Sequence, residues 1–159
     1  MVTTQPILPA LLELNRKDIP YRTFQHSGSV KSLTQAAVER RQLPEQVVRS
    51  ILFRLAKDEF CLALVAGPAQ IDWRKLRKHF NQSRLTMAAP DEVLRITGYI
   101  PGAVSPFGLP APVPVIADPN VFKPDEISLG SGQRGLAIII KTSDLMHALG
   151  EIEIFDLLG

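Results

Sequence analysis

Apolar residues fall at helical spacing near the start of the chain. Ile7, Ala10, Leu11 and Leu14 share one face of a helix predicted over Pro9 to Asn15, and Asp18-Ile19-Pro20 ends it. The period then changes. Tyr21 to His26 alternates apolar and polar side chains, the pattern of a half-buried strand running into the Ser27-Gly28-Ser29 turn. Ser32 followed by Gln35 is a capping-box signature ahead of Ala36, Ala37 and Val38, so a short helix is expected to end before Pro44, where another helical turn begins. Ser50 to Leu55 and Phe60 to Ala66 are strand-like, with Lys57-Asp58-Glu59 as a polar turn between them, and together they predict a β-hairpin. Asp72 caps a helix with Trp73, Leu76 and Phe80 on one face and basic residues on the other.

Pro90-Asp91-Glu92 opens a further short helix through Val93, Leu94 and Ile96, which delivers the chain to Gly98. Beyond it, Val113 to Ala117 and Leu136 to Ile140 are continuous apolar runs of the kind found in strands buried on both faces, and Ser143-Asp144 caps a last helix through Leu149. Helices and strands interleave while one close hairpin is evident. A single α/β domain over residues 1–159 with a mixed sheet is therefore expected.

Composition narrows the class. A chain of 159 residues, 45% apolar, can bury a core without staples. Its longest apolar runs are strand-sized, far short of the roughly 20 residues a membrane helix needs, so no membrane partner is expected. Met1 to Pro6 lacks a basic stretch followed by an apolar one, and a cytoplasmic location is the expectation. The lone cysteine, Cys61, reads as a small buried hydrophobe and excludes an internal disulfide. His26, His79 and His147 are far apart, with no second ligand at helical or turn spacing, so no metal site is predicted. The formal charge of +2 permits a polyanionic partner without demanding one.

Candidate chemistry concentrates in three places. The segment Gly98-Tyr99-Ile100-Pro101-Gly102-Ala103-Val104-Ser105-Pro106-Phe107-Gly108-Leu109 mixes glycine and proline with apolar side chains, and so predicts an ordered loop whose peptide N–H groups line a pocket. Gly130-Ser131-Gly132-Gln133-Arg134-Gly135 is a second glycine-rich turn before a buried strand, able either to face the first loop or to serve as a plain tight turn. Neither has phosphate-loop or dinucleotide spacing, and Ser105 lacks the strand-turn-helix setting of a nucleophile elbow. Arg49 sits at the edge of an apolar strand, where an inward guanidinium must meet an anion or several carbonyls, and otherwise points to solvent. Arg74, Lys75, Arg77 and Lys78 on the Asp72 helix form either a phosphate grip or a solvated face, with Arg40 and Arg41 adding to the basic inventory.

The Gly98 to Gly108 loop resembles the Gly-Tyr-x-x-Gly-Gly-Val-Ser-Pro-Phe-Gly loop of the YbaK family, which is related to the inserted editing domain of bacterial prolyl-tRNA synthetases. Val47-Val48-Arg49-Ser50-Ile51-Leu52-Phe53 is similar to that family's Val-x-Lys-Thr-Leu-Val-Phe segment, and Gly130 to Leu136 to its later glycine turn, in the same order. The resemblance covers nearly the whole chain. It implies a compact α/β fold around a mixed, partly barrel-like sheet surrounded by helices, and a trans-acting deacylase that hydrolyses the ester of a mischarged tRNA without metal or organic cofactor. It implies catalytic roles for Arg49, Gly102 and Ala103, the loop amides stabilising the oxyanion and Arg49 anchoring substrate. Substrate binding is implied for Phe24, His26, Ser50, Gly98, Tyr99, Val104, Ser105, Pro106, Phe107, Gly108, Gly130, Ser131 and Gly132. The implied partners are the acceptor end of a tRNA, held by Arg74, Lys75, Arg77 and Lys78, and an aminoacyl-tRNA synthetase as a further candidate. Arg49 replaces the family lysine, Phe24 a tyrosine of some relatives, Ala137 an acidic residue and Ala103 a glycine. Those replacements keep a second expectation open: a non-catalytic module that binds an aminoacyl or nucleotide end, or a protein.

Overall fold

Strands β2 (Val48–Arg54) and β3 (Phe60–Ala66) form the expected hairpin, paired antiparallel from Val48 opposite Ala66 to Arg54 opposite Phe60. The computed structural model describes residues 8–159 apart from Lys57. Ile7 of the first predicted helix, the Met1 to Pro6 segment and one residue of the expected hairpin turn therefore lie outside the described residues. The hairpin sits in a five-stranded sheet with β4 (Thr86–Met87), β5 (Val115–Ala117) and β8 (Glu153–Ile154), in the order β4-β2-β3-β5-β8. A second sheet has the order β1-β7-β6, from β1 (Arg22–Gln25), β6 (Glu126–Gly130) and β7 (Leu136–Lys141). A parallel bridge between Val47 and Ser128 joins the two sheets edge to edge. Together they make the mixed, partly barrel-like sheet that was expected.

Alternation along the strands builds two cores. Val48 and Leu52 of β2 join Leu62 and Leu64 of β3 and Ile127, Leu129, Ile138 and Ile140 of the second sheet in the main core. Helices α1 (Pro9–Arg16), α4 (Pro90–Thr97) and α5 (Thr142–Leu149) close it with Ala10 and Leu14, Val93, and Leu145 and Ala148. On the other face of the hairpin, Phe53, Cys61, Ala63 and Val65 pack with Leu76 of α3 (Trp73–His79) and Leu157. Both faces of β3 are covered, so all seven of its residues are buried. Burial pushes the Cys61 thiol up to about 12, in keeping with an inert core residue.

Local signals are realised closely where side chains cap the backbone. Asp72 accepts from the N–H groups of Arg74 and Lys75 at 3.0 and 3.3 Å, and Ser32 accepts from Gln35 N–H at 3.0 Å at the start of α2 (Leu33–Glu39). Four points differ from expectation. The helical turn at Pro44 is a 3₁₀ turn over Pro44–Gln46, and β2 begins earlier than predicted because Val48 and Arg49 already pair with Ala66 and Val65. The last helix starts at Thr142 with Lys141 as its N-cap and no side-chain cap, not at a Ser143-Asp144 cap, and the Thr142 N–H and hydroxyl donate to the Asp125 and Pro124 carbonyls at 2.9 and 2.8 Å. Strand β6 was not anticipated: Ile127 and Leu129 are its only large apolar residues, and its pairing to β7 decides it.

Two glycines mark where backbones meet. A Cβ on Gly108, whose φ is +70°, would lie 2.3 Å from the Pro9 carbonyl carbon, and one on Gly130 would lie 2.2 Å from the Val104 carbonyl oxygen. Gly108→Ala is expected to cost about 2 kcal/mol or more through overpacking and left-handed strain. Gly28→Ala, with nothing within 4 Å of its Cβ, should stay within about 0.5 kcal/mol of the parent. Denaturant unfolding of the two variants checks both values.

Candidate active site

Helix α4 ends at Gly98 in the left-handed conformation, φ +78°, which turns the chain so that Tyr99 points into the core. The Tyr99 hydroxyl donates to the Phe107 carbonyl at 2.6 Å and ties the two ends of the loop together. Its ring occupies the space over Gly132, where a Cβ would lie 2.4 Å from Cε1. Ser105 is fully buried and its Oγ accepts from Phe107 N–H at 3.3 Å, while Gly108 N–H donates to Glu13 Oε1 of α1 at 3.1 Å. Pro106 and Phe107 are buried as well. The aromatic and apolar content of the loop thus fastens it from behind.

What remains is a set of free donors. Ala103 N–H closes a turn on the Ile100 carbonyl at 3.1 Å, and the Ala103 carbonyl accepts Gly132 N–H at 2.8 Å. The N–H groups of Gly102, Val104 and Ser105 find no acceptor among the described residues. Gly102 is exposed and Val104 and Ser105 are buried, so the donors run from the surface inward. The amide of Ala103, expected to act in catalysis, is spent on its own turn.

Beside this loop lies a row of small floor residues. Gly130 pairs with Ala137, and Ala137 with Phe24, across three strands. Phe24 meets the edge of the His26 ring, with centroids 4.9 Å apart. His26 is buried, and its Nδ1 lies 2.7 Å from Glu39 Oε1 while its Nε2 accepts from Arg40 Nε at 3.0 Å. A ring nitrogen that accepts from a guanidinium carries a lone pair, so the network places the imidazole proton on Nδ1. Arg40 Nη1 donates to Ser128 Oγ at 2.9 Å, and Ser128 donates to Gln42 Oε1 at 2.6 Å. Hydrogen bonds from His26 and Gln35 hold the Glu39 carboxyl below its ordinary range. Sequence reading took Arg40 only as general basic charge, and no local signal marks its bond to Ser128, 88 residues away.

Arg49 lies on the hairpin face of Ile51 and Phe53. Its Nε donates to the Gly67 carbonyl at 2.9 Å and its Nη2 to the Ala69 carbonyl, so of the predicted solutions for an inward guanidinium it has taken the carbonyls. Burial pulls its pKa down. Ser50 lies between Val48 and Leu52 on the opposite face, and its buried hydroxyl has no partner among the described residues. Arg49 and Ser50, expected in one site, therefore diverge. Ser131 is likewise consumed internally: its hydroxyl donates to the Leu136 carbonyl at 2.6 Å and accepts from Gln133 N–H at 3.2 Å. On α3, Lys75 is tied to Asp156 at 2.8 Å and to the Leu158 carbonyl, whereas Arg74, Arg77 and Lys78 form no ion pair among the described residues. Clefts of about 310 and 360 Å³ open elsewhere, against Lys17 and Pro106 and against Phe60 and Arg95, and neither is lined by Arg49, His26 or Gly130.

The fold and this loop define a class. The family model for the aminoacyl-tRNA editing domain matches residues 27–148, and the chain belongs to that family, the one its loop motifs resemble. It is 28% identical over 135 residues to the multifunctional Ser/Thr-tRNA deacylase ProXp-y of Escherichia coli K12, covering 77% of this chain and 81% of that protein. It is 35% identical over 89 residues to a proline–tRNA ligase of Kosmotoga olearia, covering 56% of this chain but 15% of the ligase. Among solved structures, one described as a candidate trans-editing enzyme for prolyl tRNA synthetase superposes with a TM-score of 0.86 over 95% of both chains, at 23% identity, and shares the fold.

Burial, with the negative charge of Glu13 adding to it, pushes the Tyr99 phenol from 10.0 up to about 12. An acid raised on folding contributes stability that is complete below its unfolded pKa and lost as pH climbs through the folded one. Tyr99→Phe should therefore lower stability by about 1 kcal/mol at neutral pH. It should also flatten the alkaline loss of stability between pH 10 and about 12, read from urea midpoints across that range.

Proposed function

We propose that this chain hydrolyses, in trans, the ester joining a wrong small amino acid to the terminal adenosine of a tRNA. Family membership supplies the reaction class. The observation that carries the site is the set of N–H groups at Gly102, Val104 and Ser105 that find no acceptor among the described residues, in a loop tied down through Tyr99, Ser105 Oγ and Gly108. Water adds to the ester carbonyl, and the charge that develops on the carbonyl oxygen is met by those donors, already aimed and held in place by Tyr99. The bond to the ribose oxygen then breaks, that oxygen takes a proton, and the free amino acid and the tRNA separate. A ribose hydroxyl of the substrate assists the water, because the guanidinium of Arg49 keeps its proton and cannot serve as the base. With two nitrogens fixed on carbonyls, Arg49 has Nη1 left to anchor substrate.

Gly130 and Ala137 leave little side-chain bulk on the floor, which suits a small aminoacyl group. The deacylase of Escherichia coli is named for Ser- and Thr-tRNA, and seryl and threonyl esters head the candidates here, with tRNA-Pro suggested by the synthetase relatives. Arg74, Arg77 and Lys78 hold the acceptor stem from α3, and a synthetase that delivers the mischarged tRNA remains part of the proposal. The engagement of Arg49 with backbone carbonyls favours one rival, a module that binds the aminoacyl end without cleaving it.

A panel of mischarged tRNAs separates the two, because the rival predicts binding without release of amino acid from any member. Gly102→Pro, which removes a donor and forbids the φ of +88°, and Arg49→Ala are each expected to cut deacylation on the order of 10²-fold. Gly102→Ala keeps the N–H and should lose less. Unchanged turnover in both of the first two variants sinks the assignment. Reversing Arg74, Arg77 and Lys78 to glutamate should raise KM for whole tRNA by about tenfold or more at low salt and leave an aminoacyl-adenosine substrate unaffected.

A further inference from the structure

One peptide unit of the 98–109 loop is gripped at both of its polar atoms. The Phe107 carbonyl accepts from the Tyr99 hydroxyl at 2.6 Å, and the N–H of the same peptide, on Gly108, donates to Glu13 Oε1 at 3.1 Å. The two grips differ in kind. Tyr99 stands at the start of the loop and closes it on itself, whereas Glu13 comes from α1, 95 residues away in sequence. Among the described residues it is the one side chain from a distant element that bonds to the loop backbone. Its other oxygen lies 3.4 Å from Lys17 Nζ, which also donates at 3.1 Å to the Ala148 carbonyl near the end of α5. The carboxylate is thereby held at both oxygens, and α1, α5 and the loop meet at it. Gly108 itself is seated against the backbone of Pro9 and Ala10.

The amides of Val104 and Ser105, which find no acceptor, hang between two anchors. On one side the Ala103 carbonyl accepts from Gly132 N–H at 2.8 Å, and on the other Glu13 holds Gly108 N–H. Little else intervenes: Pro106 has no N–H, and Phe107 N–H makes only a 3.3 Å bond to Ser105 Oγ within the loop. Without Glu13 the Phe107–Gly108 peptide keeps its Tyr99 bond alone and can turn about it, carrying the preceding amides with it. Oxyanion donors lose most of their effect when misplaced by about 1 Å. We propose that Glu13 is a positioning residue for the deacylase reaction, setting the direction of the Val104 and Ser105 amides by its hold on Gly108 N–H. Its reach matters more than its charge, since the loop needs an acceptor at one fixed point. Glu13 lines a cleft with Lys17, Pro106 and Leu109 that includes neither Gly102, Val104 nor Gly130, so it acts on the loop and not on the substrate. The kinetic part of the proposal rests on the deacylase reading; the ordering of the amides does not.

Three variants of the full chain test this. Glu13→Gln keeps an oxygen at the same reach without the charge, Glu13→Asp keeps the charge but withdraws it by one bond, and Glu13→Ala removes both. On a mischarged tRNA that the wild type hydrolyses, kcat should fall about tenfold to 10²-fold in Glu13→Ala and Glu13→Asp, with KM within about twofold of the parent. Glu13→Gln should stay within about threefold in both constants. Amide hydrogen exchange followed by NMR gives a readout that needs no substrate. Val104 and Ser105 N–H should exchange about tenfold faster or more in Glu13→Ala and Glu13→Asp, and near the parent rate in Glu13→Gln, while the amides of β3 are unchanged in all three. Should Glu13→Ala fail a thermal-unfolding check, Glu13→Asp carries the comparison. Unchanged kcat or unchanged exchange in folded Glu13→Asp overturns the proposal, as does a loss in Glu13→Gln equal to that in Glu13→Asp. Full hydrolysis by all three variants overturns this inference and leaves the deacylase reading standing. A wild type that hydrolyses no mischarged tRNA overturns that reading, and the Val104 and Ser105 exchange rates then decide by themselves whether Glu13 orders the loop.

Discussion

Everything about the site depends on how closely the 98–109 loop presses its backbone onto the glycine turn after β6. The Val104 carbonyl lies where a Cβ of Gly130 would be, the Tyr99 ring lies where a Cβ of Gly132 would be, and Gly132 N–H is bonded to the Ala103 carbonyl. Peptide dipoles can be aimed only if the chain carrying them does not move, and a loop of this composition has few backbone bonds of its own to hold it. The rigidity comes instead from surfaces that admit no side chain. At its far end the same loop is pinned to α1, where Gly108 packs on Pro9 and donates to Glu13. Rows of donors held in this way act on a developing charge without reorganising, which is the property an oxyanion site needs.

Polar chemistry is distributed around that fixed loop by the strand ladder. Because Gly130, Ala137 and Phe24 form one row and Ser128 begins the next, the His26, Glu39 and Arg40 network is brought to the edge of the same floor. Burial has opposite consequences for the two kinds of group found there. It raises the Tyr99 phenol and keeps it a donor, whereas it pulls the Arg40 and Arg49 guanidinium groups down, with the charge of Glu39 opposing the fall at Arg40. A fastened frame around amides that have no acceptor of their own suits a ligand that presents a polarised carbonyl.

The two glycine motifs were legible in the sequence as candidate chemistry, but the division of labour within them was not. Tyr99, Ser105, Phe107 and Gly108 look like lining residues in sequence and turn out to hold the loop from behind, because a buried aromatic with a hydroxyl serves better as a fastener than as a wall. Arg49 and Ser50 are adjacent in the motif and face opposite sides of the sheet, as strand alternation requires. Arg40 carried no motif at all. Its partners lie 14 and 88 residues away, so no local pattern could have shown that it was bonded to anything.

Sequence by itself determined the elements with short-range causes: the hairpin of β2 and β3, the Asp72 and Ser32 caps, the turn at Gly98, and the motifs that place the chain in the editing family. Capping and alternation involve atoms within a few residues of one another, so the local pattern contains them. Only the tertiary structure decided the pairing of β6, the bridge from Val47 to Ser128, the choice of carbonyls for Arg49 and the set of amides left without acceptors. Each of these depends on which distant backbone group arrives first to satisfy a donor, and that is fixed by the packing of the whole sheet.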